Sequence, residues 1–186
     1  MRKLIVFNHV SLDGYFVDQN GDMSWAHKNS DPEWDAFVGQ NAKGGAQMLF
    51  GRITYQMMAG YWPTPMAMKS MPAVAKAMND ARKIVFSRTL EKADWKNTKL
   101  VKNDPAGNVR KLKSEPGEGL VIFGSGTIVV QLAQERLVDE YQVVVNPIVL
   151  GKGRTMFEGV REQMGLKLTR SRIFGNGNVF LCYEPA

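Results

Sequence analysis

Residues 120–127 constrain the fold more than any other stretch. Leu120-Val121-Ile122-Phe123 is apolar at all four positions, the pattern of a strand covered on both faces of a sheet. Gly124-Ser125-Gly126-Thr127 follows at once. Beyond it Ile128, Val129, Leu132, Ala133 and Leu137 form the apolar stripe of a helix. A covered strand that turns straight into a helix predicts an α/β architecture.

The rest of the chain alternates in the same way. Residues 4–9 read as a strand. A helix should open near Asp31-Pro32: Asp31 can cap, Pro32 suits the first helical position, and Ser30-x-x-Glu33 has capping-box spacing. Trp34, Phe37 and Val38 give that helix a buried face, and Gly44-Gly45 ends it. Residues 47–50 read as a strand leading through Gly51-Arg52-Ile53-Thr54 into a helix that reaches Met58. Strands follow at 83–87 and 99–101. Residues 103–107 carry turn chemistry ahead of a helix at 109–113. A strand at 141–146 is stopped by Pro147. Residues 166–174 and 178–183 form a closing hairpin around Gly175-Asn176-Gly177. The 186 residues show no repeat and no composition break, so one domain over 1–186 is expected.

No apolar run reaches membrane-spanning length. The apolar start at Leu4 is too short for a signal peptide and is followed by Asn8, His9 and Asp13, so a cytoplasmic protein is expected. The single cysteine, Cys182, cannot form an internal disulfide and sits in a strand pattern as a small hydrophobe. Net charge is +6, but the basic residues are dispersed among acids without interleaved aromatics. That argues against nucleic acid and fits a phosphorylated small molecule equally well.

Three strand-to-helix junctions carry the chemistry. At Gly124-Ser125-Gly126-Thr127 the glycines allow close backbone approach, and the helix start offers unpaired N–H groups to a phosphate. Plain turn-making explains those glycines as well. Gly51-Arg52-x-Thr54 adds a guanidinium fork and a hydroxyl. Ser87-Arg88-Thr89 ends a third strand in the same style. Three such ends on one sheet point to a ligand at the strands' C-terminal edge. The first two suit a pyrophosphate, and Ser87, Arg88 and Arg52 suit a 2′-phosphate. Ser11-Leu12-Asp13-Gly14 directly follows the first strand. It is either a turn or part of a loop that closes over a ligand, with Trp25 on the polar connector beyond it.

Ser11-Leu12-Asp13-Gly14, Gly51-Arg52-x-Thr54-Tyr55, Val121-Ile122-Phe123-Gly124-Ser125-Gly126 and Pro147-Ile148-Val149-Leu150-Gly151-x-Gly153-x-x-x-Phe157 stand in this order. The ordered set resembles the dihydrofolate-reductase-like superfamily, in the branch containing the reductase domain of the riboflavin-biosynthesis deaminase-reductase. The resemblance implies a mostly parallel sheet with helices on both faces and an antiparallel C-terminal strand. It implies NADPH as hydride donor, and homodimers are common in the branch. Leu12 and Gly14 fall in its nicotinamide loop. Gly51, Arg52 and Thr54 match its phosphate motif, and Gly124, Ser125, Gly126 and Thr127 its second cofactor loop; Phe123, just before that loop, is a candidate support for the nicotinamide ring.

Nothing resembles the deaminase's zinc motif; His9, His27 and Cys182 do not form one. Asp13 and Glu33 are the candidate catalytic carboxylates, although Glu33 also completes the capping box. Trp25, Trp34 and Phe37 are candidate linings for a planar substrate; packing competes for Trp34, as it does for Phe123. The expected activity is reduction of a heterocycle, either 5-amino-6-(5-phosphoribosylamino)uracil-like or pteridine-like. Dihydrofolate reductase proper and a non-catalytic nucleotide- or nucleic-acid-binding module are the alternatives.

Overall fold

The computed structural model describes residues 1–27, 31–42 and 44–186. Its strands obey a two-residue period, and that period builds the layers. In chain order the elements are β1 (Leu4–Ser11), β2 (Tyr15–Asp18), a 3-10 turn (Ser24–His27), α1 (Pro32–Ala42), β3 (Gln47–Gly51), α2 (Arg52–Tyr61), α3 (Pro65–Ser70), α4 (Pro72–Asp80), β4 (Lys83–Phe86), β5 (Thr98–Val101), α5 (Pro105–Ser114), β6 (Leu120–Phe123), α6 (Gly126–Gln134), β7 (Glu140–Asn146), β8 (Gly153–Thr155), β9 (Leu166–Ile173) and β10 (Val179–Pro185).

Eight strands form one sheet in the order β5-β4-β3-β6-β1-β7-β10-β9. From β5 to β7 every pairing is parallel, and β10 runs against both of its neighbours. Leu4, Val6, Leu49, Ile84, Phe86, Leu120 and Ile122 point to one face and pack with Val109, Val129, Leu132 and Ala133 of α5 and α6. Met48, Phe50 and Val85 point to the other, against Tyr55, Val74, Met78 and Trp95. Further along that second face, Trp34 and Phe37 of α1 pack with Phe7, Val144, Phe174, Phe180 and Cys182. The alternation predicts the α/β class, and the mostly parallel sheet with helices on both faces is what the family resemblance implies.

The departures are local. The helix expected at 109–113 starts at Pro105, because Asp104 Oδ1 accepts from Gly107 N at 2.8 Å and Pro105 fills the first turn. The turn chemistry at 103–107 was a helix cap. Helices α3 and α4, each with proline in its first turn, and the antiparallel β2–β8 ribbon are additional. At α1, Asp31 Oδ1 accepts from Trp34 N at 2.9 Å, while Ser30 lies outside the described residues.

At the sheet's antiparallel edge a buried carboxylate ties β7 to β10 and β9. Glu140 accepts from Gln142 Nε2 at 2.5 Å and lies 3.0 Å from Arg170 Nη2. Burial alone would raise its pKa, but Gln142, the Cys182 thiol, Arg170 and Lys3 outweigh burial and hold it below the usual carboxylate value. A depressed folded pKa contributes stability above the unfolded value, and that contribution is lost as pH falls through the folded one. Glu140→Gln should therefore lower stability at pH 7 by about 1 kcal/mol, with the difference shrinking toward pH 3. Urea denaturation at both pH values measures it.

Candidate functional site

Because β4, β3 and β6 are adjacent and parallel, their C-terminal residues Phe86, Gly51 and Phe123 end side by side. The three junctions singled out in the sequence therefore share one edge. Helix α2 begins at Arg52 with Gly51 as its N-cap, and α6 begins at Gly126 with Ser125 as its N-cap. Neither start is capped by a side chain. The first-turn amides of Arg52, Ile53, Gly126 and Thr127 thus carry the partial positive charge of two helix ends toward the same edge.

The hydroxyls expected to touch a phosphate have other partners. Thr54 Oγ1 accepts from Ser125 N at 3.0 Å. Ser125 Oγ accepts from Gly51 N at 2.8 Å and donates to the Phe123 carbonyl at 3.0 Å. Both side chains are buried and brace one junction against the other. Asn8, which the sequence reading passed over, adds a third brace. Its Oδ1 accepts from Gly124 N at 2.6 Å, and its Nδ2 donates to the Gly124 carbonyl at 3.2 Å and to Met156 Sδ at 3.0 Å. The one sequence signal for Asn8 was an amide in the middle of an apolar strand. The β2–β8 ribbon brings Phe16 and the Met156 carbonyl beside Gly126.

Arg52 is exposed, with Nη1 3.2 Å from Gln56 Oε1. It lines an open cavity of about 700 Å³ with Gln56, Thr89, Leu90, Glu91, Lys92 and Asp94. Ser87 is not among the lining residues, but its Oγ accepts from the N–H groups of two that are, Thr89 at 3.2 Å and Leu90 at 2.9 Å. Arg88 is exposed but is not part of the lining, so the cavity's basic side chains are Arg52 and Lys92; Lys92 Nζ lies 3.0 Å from Asp94 Oδ2, which shares the lining with Glu91.

Two other motifs close on each other. Leu12 N donates to the Ile148 carbonyl at 2.8 Å, and Gly14 N closes a turn onto Ser11. The Asp13 carboxylate accepts from Leu150 N at 3.1 Å and Gly151 N at 2.7 Å. The Ser11 side chain and these amides hold the Asp13 carboxyl below its usual range. Asp13 is therefore an ionised clamp between loops and has no proton to give near neutrality. Leu12 and Val149 are left exposed at the tips of the joined loops.

Glu33 does not reach this edge. It is exposed and pairs with Arg172 of β9, Nη2 to Oε1 at 2.5 Å. Trp34 and Phe37, expected to line a substrate pocket, lie in the aromatic cluster under α1, with Trp34 edge-on to His9 and Phe174. Trp25 is buried in its 3-10 turn, donating from Nε1 to the Asp22 carbonyl at 3.2 Å. Phe123 stacks on Phe50 and meets Phe7 edge-on, and so helps fill the core. Cys182 is buried, and burial pushes its thiol up, as suits a packing residue. No helix among the described residues is long and apolar enough to cross a membrane.

The family model of the RibD C-terminal domain matches residues 2–180. The chain belongs to the RibD C-terminal domain family. Its relatives include the uncharacterized protein YyaP of Bacillus subtilis, 29% identical over 184 residues, which are 98% of this chain and 95% of YyaP. The RibD-type fold recurs in a candidate riboflavin biosynthesis protein from Shewanella sp. PV-4, with a TM-score of 0.75, 21% identity and 99% of each chain covered. It recurs again in a diaminohydroxyphosphoribosylaminopyrimidine deaminase/5-amino-6-(5-phosphoribosylamino)uracil reductase from Thermotoga maritima. That match has a TM-score of 0.69 at 15% identity and covers all of this chain but 57% of the larger one. In this RibD C-terminal domain, then, the structure shows how the ordered motifs meet.

Proposed function

We propose that this domain is an NADPH-dependent reductase of a nitrogen heterocycle, of the phosphoribosylaminopyrimidine class rather than the folate class. The observation that carries the reading is the pair of helix starts at Arg52 and Gly126. They lack side-chain caps and are braced together by Thr54 and Ser125, and the α2 start opens through Arg52 onto the cavity. An extended, multiply phosphorylated coenzyme matches that donor set. The first-turn amides of α2 and α6 suit its pyrophosphate. The Arg52 guanidinium suits its 2′-phosphate, whereas Lys92 is paired with Asp94.

When bound, the coenzyme supplies the hydride. The chain supplies placement: the braced amides hold the phosphates in one geometry, and the Asp13 clamp fixes the loops at the end of β1. Family membership and the reductase activity in the name of the Thermotoga maritima protein support a reductase. The excess of positive charge favours a phosphorylated substrate. The alternative carboxylates weigh against the folate class, since Asp13 and Glu33 are both engaged elsewhere.

The test is titration of NADPH against tryptophan fluorescence, then NADPH oxidation with a 5-amino-6-(5-phosphoribosylamino)uracil-type precursor and with dihydrofolate. Turnover of the phosphoribosyl substrate supports the proposal. Turnover of dihydrofolate alone would replace the substrate class, and tight binding with no turnover would make the domain a binding module. Within this reading, Arg52→Ala should weaken NADPH binding about 10–100-fold, the equivalent of losing ~1.5–3 kcal/mol of charged hydrogen bonding, and NADH binding much less. Arg88→Ala, outside the cavity lining, should stay within about two-fold of the parent. Equal losses of NADPH and NADH affinity in Arg52→Ala would remove the 2′-phosphate assignment.

A further inference from the structure

The parallel ladder between β1 and β6 ends at Phe7 and Phe123. The next residue on β1 is Asn8, 1% exposed, and its carboxamide extends the ladder by one step. It bonds both polar groups of Gly124, accepting from the N–H and donating to the carbonyl. The step matters because Gly124 and Ser125 both adopt left-handed backbone, each at φ 58°. That conformation is unfavourable for serine by roughly 1–2 kcal/mol and persists only where the surroundings fix it.

We propose that Asn8 is a positioning residue for coenzyme binding: it sets the Gly124 peptide and thereby aims the Gly126 and Thr127 amides at the phosphate. The inference rests on the cofactor reading above. Three inward-facing amides, those of Gly51, Gly124 and Ser125, are taken by Ser125, Asn8 and Thr54 respectively. The amides beyond the left-handed pair remain for an anion, and their direction is inherited from that pair. Asn8 also ties the turn to Met156, just past β8, so the ribbon and the turn are held through one side chain. A turn fixed before the coenzyme arrives does not have to be ordered on binding, and the affinity gain comes from that saved entropy.

Two variants test this in the full chain. Asn8→Ala should speed amide hydrogen exchange at Gly124 at least tenfold and raise the dissociation constant for NADP⁺ about 10–100-fold. Asn8→Asp keeps the shape. Its ionised form loses the donor, whereas its protonated form restores one donor and one acceptor. Burial raises the pKa of such a carboxyl into a usable range. The affinity of Asn8→Asp relative to the parent should therefore recover as pH falls from 8 to 5, and Asn8→Ala should show no such recovery. This pH signature does not depend on Asn8→Ala folding well, and a merely structural asparagine would not produce it. Unchanged Gly124 exchange, or NADP⁺ affinity within two-fold of the parent in Asn8→Ala, overturns the proposal. So does a pH-independent ratio for Asn8→Asp. A parent protein without affinity for NADP⁺ or NADPH sinks the cofactor reading instead; the exchange measurement then still decides whether Asn8 holds the turn.

Discussion

Gly124→Ala should lose NADPH affinity by on the order of a hundredfold, about 2.7 kcal/mol, and unfold earlier as well. Gly124 sits at φ 58°, where an alanine is disfavoured by about 1–2 kcal/mol. A Cβ built there lies 2.8 Å from Thr54 Oγ1 and 3.0 Å from Thr54 Cγ2. Thr54 has little freedom to yield, because it is β-branched, stands in the first turn of α2, and holds Ser125 N. Pushing it aside frees a buried N–H, which costs about 1–3 kcal/mol more. A total near 2–5 kcal/mol follows, or a midpoint lowered by roughly 4–20 °C for a chain of this size. Thermal denaturation and NADPH titration read the two effects separately. A Gly124→Ala protein with the parent's midpoint would mean that the brace at Thr54 gives way without loss.

Gly153→Ala should damage the same edge from the other side. Gly153 pairs with Asp18 in the β2–β8 ribbon, and an added Cβ would meet the Val17 carbonyl oxygen at 2.2 Å. That neighbour is backbone and cannot rotate away, so the ribbon must open. Overpacking of this kind costs about 1–3 kcal/mol. The ribbon carries Phe16 beside Gly126 and leads directly to Met156 at Asn8, so the damage should extend to NADPH binding. We expect a lower urea midpoint together with an affinity loss of about tenfold or more. Lower stability with unchanged affinity would show that the ribbon does not shape the site.

Much of this architecture was legible in advance. β6 was read from four consecutive apolar residues, and α6 from its stripe. The closing hairpin was read from Gly175-Asn176-Gly177; β9 and β10 pair there. The misses were short or dual-purpose. β8 has three residues and β2 four, too few for a period to show, and each exists only through the other. Asp104-Pro105 is turn chemistry and cap chemistry alike, and only the bond that Gly107 N donates to Asp104 Oδ1 decides between them.

At the site, the sequence showed which residues can hydrogen-bond, but not which partners they have within the chain. Thr54 and Ser125, read as phosphate groups, also brace two junctions. Of Ser87, Arg88 and Arg52, read together for a 2′-phosphate, Arg52 lines the cavity. Asn8 meets Gly124 across 116 positions of chain.

The sequence by itself determined the layers, the three anion-friendly strand ends and the hairpin that closes the sheet. These depend on side-chain period and turn chemistry, which act between neighbours in the chain. Only the tertiary structure decided which of those polar groups pair with one another and which stay open at the sheet edge. A buried donor or acceptor must be paired, and strand order, a non-local outcome of packing, chooses the partner.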